Sequence, residues 1–418
     1  MSLVLEVARA AKEAAAALAT LPTGVKNAAL LGMAAAVRRA EGTLLGVNAA
    51  EVARARAAGQ PAAFLDRLTL TAGRVRAMAD GLEAVAALPD PVGEITGMWR
   101  RPNGLLVGRM RVPLGVIGVI YESRPNVTAD VAGLCLKAGN AVVLRGGSEA
   151  LQTNGALAAL LGEAAAAAGV PKGAVGFIAS PDRAAVAEMA RLPRYIDCLI
   201  PRGGEDLIRA VKDQATVPVM AHEKGLCHTY VDRAAALAMA AEVAFNAKVE
   251  RPGVCNAMET LLVHEAVAPA FLPPLVARLQ AAGVEVRGCP RTLALVPGVA
   301  PASEADWDTE YLDLILAVRV VASYEEAAAH IRRHGSGLAE AIVTADHATA
   351  MRFLREVDAG AVFVNASTRF TDGAEFGLGA EMGISTQKLH ARGPVGLQEL
   401  TCTKFIVLGE GQVRQSAR

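Results

Sequence analysis

The sequence predicts an α/β protein whose first half is a parallel sheet of dinucleotide-binding type, and three observations predict it. From residue 128 to 232, strand-like apolar runs alternate with helix-like segments, the pattern of parallel strands joined by crossover helices. The alternation restarts at 233 and runs to 364 as a second α/β unit. At 418 residues the chain exceeds one compact core, so two or three domains are expected.

Residues 1–90 read as successive helices, with apolar positions at three and four spacing from Leu3 to Leu21 and from Val25 to Val47. Pro89, Pro91 and Gly93 break that pattern. Asn103-Gly104 marks a turn, followed by extended runs over 105–112, and Val116–Tyr121 is a buried-strand run. Further strands are expected at 141–144, 174–178, 196–200, 217–220 and 229–231, with helices at 149–168, 182–191 and 204–214. Ser148 stands where it could cap the first of these helices. In the second unit, strands are expected at 259–264, 314–321, 340–344 and 360–364, with helices at 266–282, 324–334 and 346–356. Lys404–Leu408 is a strand outside both units. Paired with 105–112 it makes a third, small oligomerising piece.

Composition narrows the function classes. The chain is 53% hydrophobic and 20% charged, which excludes disorder. Lys+Arg and Asp+Glu each count 42, so no net charge favours nucleic acid or an anionic membrane. Six cysteines are scattered without a CxxC pair, so no zinc or thioredoxin-like motif is signalled. No secretory signal is read at the start, and no uncharged apolar run reaches the roughly 18 residues of a spanning helix. The expectation is a cytoplasmic protein with reduced thiols and no metal.

Three constellations carry chemistry. Cys255 follows the Pro252-Gly253 turn pair and precedes an apolar strand; a thiolate there is a nucleophile for carbonyl carbon, although free cysteines are commonly buried and inert. Val143-Leu144-Arg145-Gly146-Gly147-Ser148 and Leu199-Ile200-Pro201-Arg202-Gly203-Gly204 each read strand, glycine turn, helix start. Each is either an ordinary turn or a phosphate cradle at a helix N-terminus, and neither fits GxGxxG. Asn126, after the 116–121 strand, is either a helix cap or an amide donor for an oxyanion; the stretch alone favours the cap.

Several blocks together resemble the aldehyde dehydrogenase superfamily: Val112–Ile117, Glu122-Ser123-Arg124-Pro125-Asn126, Lys137–Gly147 and Arg251–Thr260. Asn365–Gly377 and Gly383–Pro394 resemble the branch that reduces an acyl phosphate. The resemblance spans about residues 95–408. It implies an NADPH-binding domain (1–94 and 113–241), a catalytic domain (242–384) and a split β oligomerisation arm (95–112 and 385–418). It also implies NADPH-dependent reduction of L-glutamyl 5-phosphate to L-glutamate 5-semialdehyde with release of phosphate, in proline biosynthesis, by a homo-oligomer. The acyl phosphate is labile, which motivates an association with glutamate 5-kinase.

Carried over position by position, the resemblance makes Cys255 the nucleophile and Asn126 the oxyanion amide. Arg145, Gly146, Ser148, Gly203, Gly204 and Glu310 fall to the cofactor, and Arg369 and Arg124 to the substrate α-carboxylate. Hydrolytic relatives carry a Glu-Leu-Gly-Gly-Lys pattern that supplies a base for water. Here Ala221–His228 lacks it, and Glu223 superposes only loosely, which agrees with phosphate release. Leu338-Ala339-Glu340 replaces a His-Thr-Asp or His-Ser-Asp run and removes two polar groups. Two other readings stay open: a semialdehyde-oxidising relative, and a catalytically silent assembly partner.

Overall fold

The computed structural model describes residues 1–222 and 224–414. By internal contacts the chain divides into two compact units. Unit 1 comprises Met1–Ala221, Leu378–Gly383 and Val395–Arg418; unit 2 comprises His222–Gly377 and Ile384–Pro394.

Unit 1 opens with α1 (Leu3–Leu18), α2 (Thr23–Arg39), α3 (Glu41–Ala57), α4 (Ala62–Leu68) and α5 (Ala72–Ala87). Ser2 caps α1 by accepting from the Leu5 N–H, and Val4, Ala8, Ala11, Ala15 and Leu18 form its buried stripe. The pattern from Val25 to Val47 breaks at Ala40, where the backbone leaves helical geometry. The hairpin β1 (Ile95–Arg100) and β2 (Leu106–Pro113) turns at Gly104, whose φ is +86°.

The sheet of unit 1 follows: β3 (Val116–Tyr121), α6 (Asn126–Lys137), β4 (Ala141–Gly146), α7 (Leu151–Ala167), β5 (Val175–Phe177), α8 (Ala184–Met189), β6 (Cys198–Arg202) and α9 (Glu205–Gln214). Its order is β5-β4-β3-β6, all parallel. β4 and β5 lie on one side of β3 and β6 on the other, so the order reverses beside β3. A ligand crevice is expected at the carboxyl ends there.

Two sequence expectations fail locally. Val217–Met220 is not a strand: only an isolated bridge joins Val219 to Leu199, since Thr216 and Val217 donate to the Ala190 carbonyl and Pro218 has no N–H. Ser148 caps nothing, because it begins a short 3₁₀ turn ahead of α7. The start of α7 is held by Glu51 of α3, whose carboxylate accepts from the N–H groups of Gln152 (2.8 Å) and Thr153 (3.1 Å).

Unit 2 holds β7 (Cys227–Val231), α10 (Leu237–Val249), β8 (Met258–His264), α11 (Ala268–Ala281), β9 (Glu285–Gly288), α12 (Pro290–Leu295), β10 (Ala300–Pro301), β11 (Ile315–Val321), α13 (Tyr324–His334), β12 (Ala339–Val343), α14 (His347–Glu356) and β13 (Ala361–Val364). Its parallel sheet runs β10-β9-β11-β8-β7-β12-β13. β7 therefore pairs with β8 and β12, so residues 222–241 belong with this sheet, not with the unit 1 sheet as the sequence suggested. β9, α12 and β10 were not expected; they are short edge pieces of 4, 6 and 2 residues. The small pair β14 (Ile384–Ser385) and β15 (Gly393–Pro394) also lies in unit 2, so the arm's second piece begins after it.

In unit 1, β16 (Thr401–Leu408) pairs antiparallel with β2 along its length, as expected for the arm. Ile95, Met98, Trp99, Phe405, Val407 and Leu408 are exposed on this three-stranded sheet.

Candidate active site

Cys255 sits in the turn between α10 and β8, at the amino end of the unit 2 sheet. Pro252 and Gly253 follow the end of α10, and Ala257 N–H donates to Val254 O (3.1 Å) to close the turn. Cys255 is half-buried and packs among Cys227, Leu338, Ala339, Ala361 and Ile384. Gly225 lies so close that a Cβ on it would stand 2.1 Å from the Cys255 carbonyl oxygen and 2.5 Å from its Cα. Only glycine fits against this backbone. Cys227 Sγ donates to the Cys255 carbonyl (3.3 Å), and burial pushes the Cys227 thiol well up, so it stays protonated. Of these two neighbouring cysteines, Cys227 is buried and Cys255 half-buried.

The next residue fixes the turn. Asn256 is 6% exposed. Its Nδ2 donates to Thr371 O (2.9 Å), and its Oδ1 accepts from Arg369 Nη1. Thr368 Oγ1 donates to Asn256 O (2.8 Å), and Arg369 Nε donates to Glu250 Oε2 (2.7 Å). Arg369 therefore braces both ends of the Cys255 turn, a task the sequence reading did not give it.

Glu310 enters the same neighbourhood. Its loop is held where Leu312, at φ +53°, donates its N–H to Glu259 Oε1 (3.2 Å), and the Leu312 carbonyl stands 3.6 Å from where a Gly253 Cβ would be. Glu259 also pairs with Lys248 (2.6 Å) at 1% and 0% exposure. Burial pushes the Glu259 carboxyl up to about 7, against the pull of Lys248, while Glu310 adds to the rise. Burial likewise lowers Lys248. Unit 2 thus gathers Cys255, Arg369 and Glu310 around one turn. Asn256, Gly225, Thr368 and the Lys248–Glu259 pair were not singled out from sequence, although all lie in or beside blocks already read. Glu223 lies outside the described residues.

The unit 1 residues are placed separately. Asn126 is exposed at the first position of α6, where Pro125 is the N-cap. It caps nothing: its Nδ2 donates to Asp130 Oδ2 (3.0 Å). Burial pushes the Asp130 carboxyl up to about 6, opposed by that hydrogen bond and by Arg202. Arg124 is exposed just before the helix. Arg145 is 7% exposed at the end of β4; its Nη2 donates to the carbonyls of Pro181 (3.1 Å) and Asp182 (3.3 Å), while its buried Nε has no partner among the described residues.

The two glycine turns differ from phosphate cradles. Gly146 is buried, and a Cβ there would meet Asn154 Nδ2 at 2.1 Å, so its need for glycine is internal packing. Glu149 folds back over Gly147 and accepts from Ser123 N (2.6 Å) and Oγ (2.8 Å). At Gly203-Gly204, Glu122 Oε2 already accepts from the Gly204 N–H (3.0 Å). Ser148 is exposed and Gly204 faces open space, its Cβ position meeting nothing within 4 Å. An open backbone face, an exposed hydroxyl and an orphaned arginine Nε fit a dinucleotide at the carboxyl end of this sheet; the N–H of Gly204 is not free for its phosphates.

The Leu338-Ala339-Glu340 run is buried throughout. Glu340 Oε2 accepts from both the backbone N–H (2.8 Å) and Nδ1 (2.9 Å) of His228. His330 packs edge-on to His228 and is pushed down to about 2 by burial and neighbouring cations, so it is a neutral core ring.

The family model described as "Aldehyde dehydrogenase family" matches residues 2–292 and 295–406. A gamma-glutamyl phosphate reductase of Moorella thermoacetica is 58% identical over 418 residues, covering 99% of this chain and 100% of that one. One from Syntrophomonas wolfei is 56% identical, with 98% of each chain covered. The crystal structure of gamma-glutamyl phosphate reductase from Thermotoga maritima superposes with a TM-score of 0.97 at 49% identity, covering 99% of this chain and 100% of that one.

Proposed function

The chain belongs to the aldehyde dehydrogenase family, and on that premise we propose that it reduces L-glutamyl 5-phosphate to L-glutamate 5-semialdehyde, releasing phosphate, in proline biosynthesis. One observation carries the reading: full-length likeness, at 58% identity, to a gamma-glutamyl phosphate reductase. The braced turn of Cys255 agrees with it. As a member of this family the enzyme works with a nicotinamide cofactor. We assign NADPH as the form used, with Arg145 and Ser148 reading the 2′-phosphate. Gly146, Gly203 and Gly204 shape the backbone beside it, and Glu310 takes the nicotinamide ribose.

Cys255 does the covalent work. Its thiolate attacks the acyl carbonyl; the carbon–oxygen bond to phosphate breaks and phosphate leaves, giving a thioester. Reduction of this thioester needs a hydride, which a nicotinamide cofactor would supply when bound. The resulting thiohemiacetal collapses, returning the electron pair to sulfur and releasing the aldehyde. An oxyanion forms twice, and the Asn126 amide with the Cys255 N–H is assigned to hold it. Asp130 orients that amide. Arg369 holds the turn and, with Arg124, is assigned to the substrate α-carboxylate. The enzyme is placed in the cytoplasm as a homo-oligomer joined through the arm, whose exposed apolar strands agree with this. No helix among the described residues is long and apolar enough to cross a membrane. Association with glutamate 5-kinase would shorten the path of a labile acyl phosphate; equal flux with the two enzymes held apart by a membrane would reject it.

The direct assay runs the reaction backwards. Glutamate semialdehyde should reduce NADP only when phosphate is present. Equal reduction without phosphate, with free glutamate as product, would replace this reading by the semialdehyde-oxidising one. Cys255→Ala should abolish turnover while leaving NADPH binding and fold intact; retained turnover would remove the nucleophile. Titration with NADPH and NADH tests the cofactor, and equal affinity would sink the role of Arg145.

A further inference from the structure

A polar cleft lies in unit 2, at the carboxyl ends of α13 and α14. Its volume is about 430 Å³, and Ile331, Gly335, Ser336, Glu340, Asp358 and Arg392 line it. Two buried polar atoms in its wall have no hydrogen-bond partner among the described residues. One is Glu340 Oε1, on a side chain 1% exposed; the other carboxylate oxygen is taken by His228. A Cβ on Gly335 would stand 2.8 Å from Oε1 and 2.5 Å from Ile331 O. Gly335 has an ordinary φ of −66°, so this is a steric requirement and not a conformational one. The glycine avoids crowding Oε1, which is itself buried in the wall of the cleft. The other orphan is Arg392 Nε, whose neighbour Nη1 donates to Asp358 Oδ1 (2.6 Å).

One orphan is an acceptor, an oxygen of a carboxyl that burial pushes up, against the pull of His228, and that an added cation would bring back down; the other is a cationic donor. The carboxyl ends of α13 (11 residues) and α14 (10 residues) add partial negative charge on the acceptor's side. A buried carboxylate oxygen without a partner is costly, and an ammonium group offsets that cost. We propose that this cleft binds an α-amino-acid zwitterion, with its ammonium on Glu340 Oε1 and its carboxylate on Arg392 Nε. The rim is wired to the nucleophile: Ser336 Oγ accepts from Leu226 N–H (3.0 Å), and the next residue back, Gly225, abuts the Cys255 backbone. Ser336, Leu226 and Gly225 therefore join the cleft rim to the Cys255 turn.

Two sources carry this chemistry: a separate free amino acid, or the amino-acid head of the substrate, in which case Arg392 replaces Arg369 and Arg124 as the holder of the substrate carboxylate. The probe is L-alanine with the full chain, read by hydrogen exchange and calorimetry. L-Alanine should slow exchange over 331–340 and 384–392, and N-acetyl-L-alanine and L-alaninamide, each lacking one charge, should not. Arg392→Gln, whose head group is partly exposed, should weaken L-alanine binding about tenfold or more, and Glu340→Gln should do the same if it folds. L-Alanine changing kcat at constant substrate KM identifies a separate effector; competition with substrate, with KM raised by Arg392→Gln, identifies the substrate head. Absence of saturable binding overturns the proposal. So does protection confined to 250–257 and 365–377, or unchanged affinity in Arg392→Gln.

Discussion

Replacing Lys248 by Met tests whether the buried ion pair holds the floor of the nucleophile site. Lys248 Nζ and Glu259 Oε2 are 2.6 Å apart, at 0% and 1% exposure. At an effective dielectric constant of about 20 that separation gives roughly 6 kcal/mol of attraction. Desolvating two ions costs several kcal/mol each, so the intact pair contributes little net stability. Removing one partner is different, because the surviving charge stays buried. Lys248→Met should cost about 3–5 kcal/mol, whereas Lys248→Met with Glu259→Leu should recover most of it. For a unit of this size about 1 kcal/mol shifts Tm by 2–4 °C, so the single variant should melt on the order of 10 °C lower. Unit 2 must be read alone. Its Trp307 is 3% exposed, and the chain's other tryptophan, Trp99, can be replaced by Phe, so Trp307 fluorescence in urea reports unit 2. A Lys248→Met variant within about 1 kcal/mol of the parent would refute the reasoning. So would a double variant as unstable as the two single losses added.

Arg369→Lys keeps the charge but cannot serve Glu250 and Asn256 with one planar fork; kcat should fall about 100-fold through misplacement of Cys255, with NADPH affinity unchanged by titration. Gly225→Ala puts a methyl group against the Cys255 backbone. Turnover should collapse while the unit 1 sheet keeps its cofactor affinity; a fully active alanine variant would show that the loop gives way freely. Asp130, pushed up to about 6 from its ordinary 3.8, stabilises the fold below about pH 4 and loses that contribution as pH rises through 6. Asp130→Asn should therefore gain up to about 3 kcal/mol on the parent between acid and neutral pH, measured by urea unfolding at each. A pH-independent difference would rule out the buried carboxyl.

The sequence exposed what is periodic or punctuated. Apart from the helix expected from 233, which begins at Leu237, the second unit's long strands and helices fall within one or two residues of their patterns; the helix expected at 324–334 is α13 itself. Periodicity is silent on partners, and there the reading slipped. Thr229-Tyr230-Val231 was visibly a strand, but only pairing could show that β7 sits between β8 and β12. Val217–Met220 has a strand's composition, yet the Val217 N–H is spent on Ala190 and Pro218 has none, so only a single bridge to Leu199 forms, closed by the Met220 N–H. At the site, Cys255 after Pro-Gly stood out by type, but the local pattern alone left a buried, inert thiol as the alternative, and its role came from the resemblance.

Residues that act by fit were not legible in the same way. Gly225 matters because of what lies 2.1 Å from an atom it lacks, and no local pattern encodes that distance. Arg369 was read by its charge, as a ligand for a carboxylate, and the fold gives it Glu250 and Asn256. The two descriptions are compatible only if the brace comes first: an arginine whose Nε and Nη1 are fixed presents its remaining donors in a fixed direction. A substrate carboxylate read by such a group is positioned against Cys255 by the same side chain that positions Cys255. Arg369→Lys should then raise KM as well as lower kcat, whereas a purely structural brace would lower kcat alone.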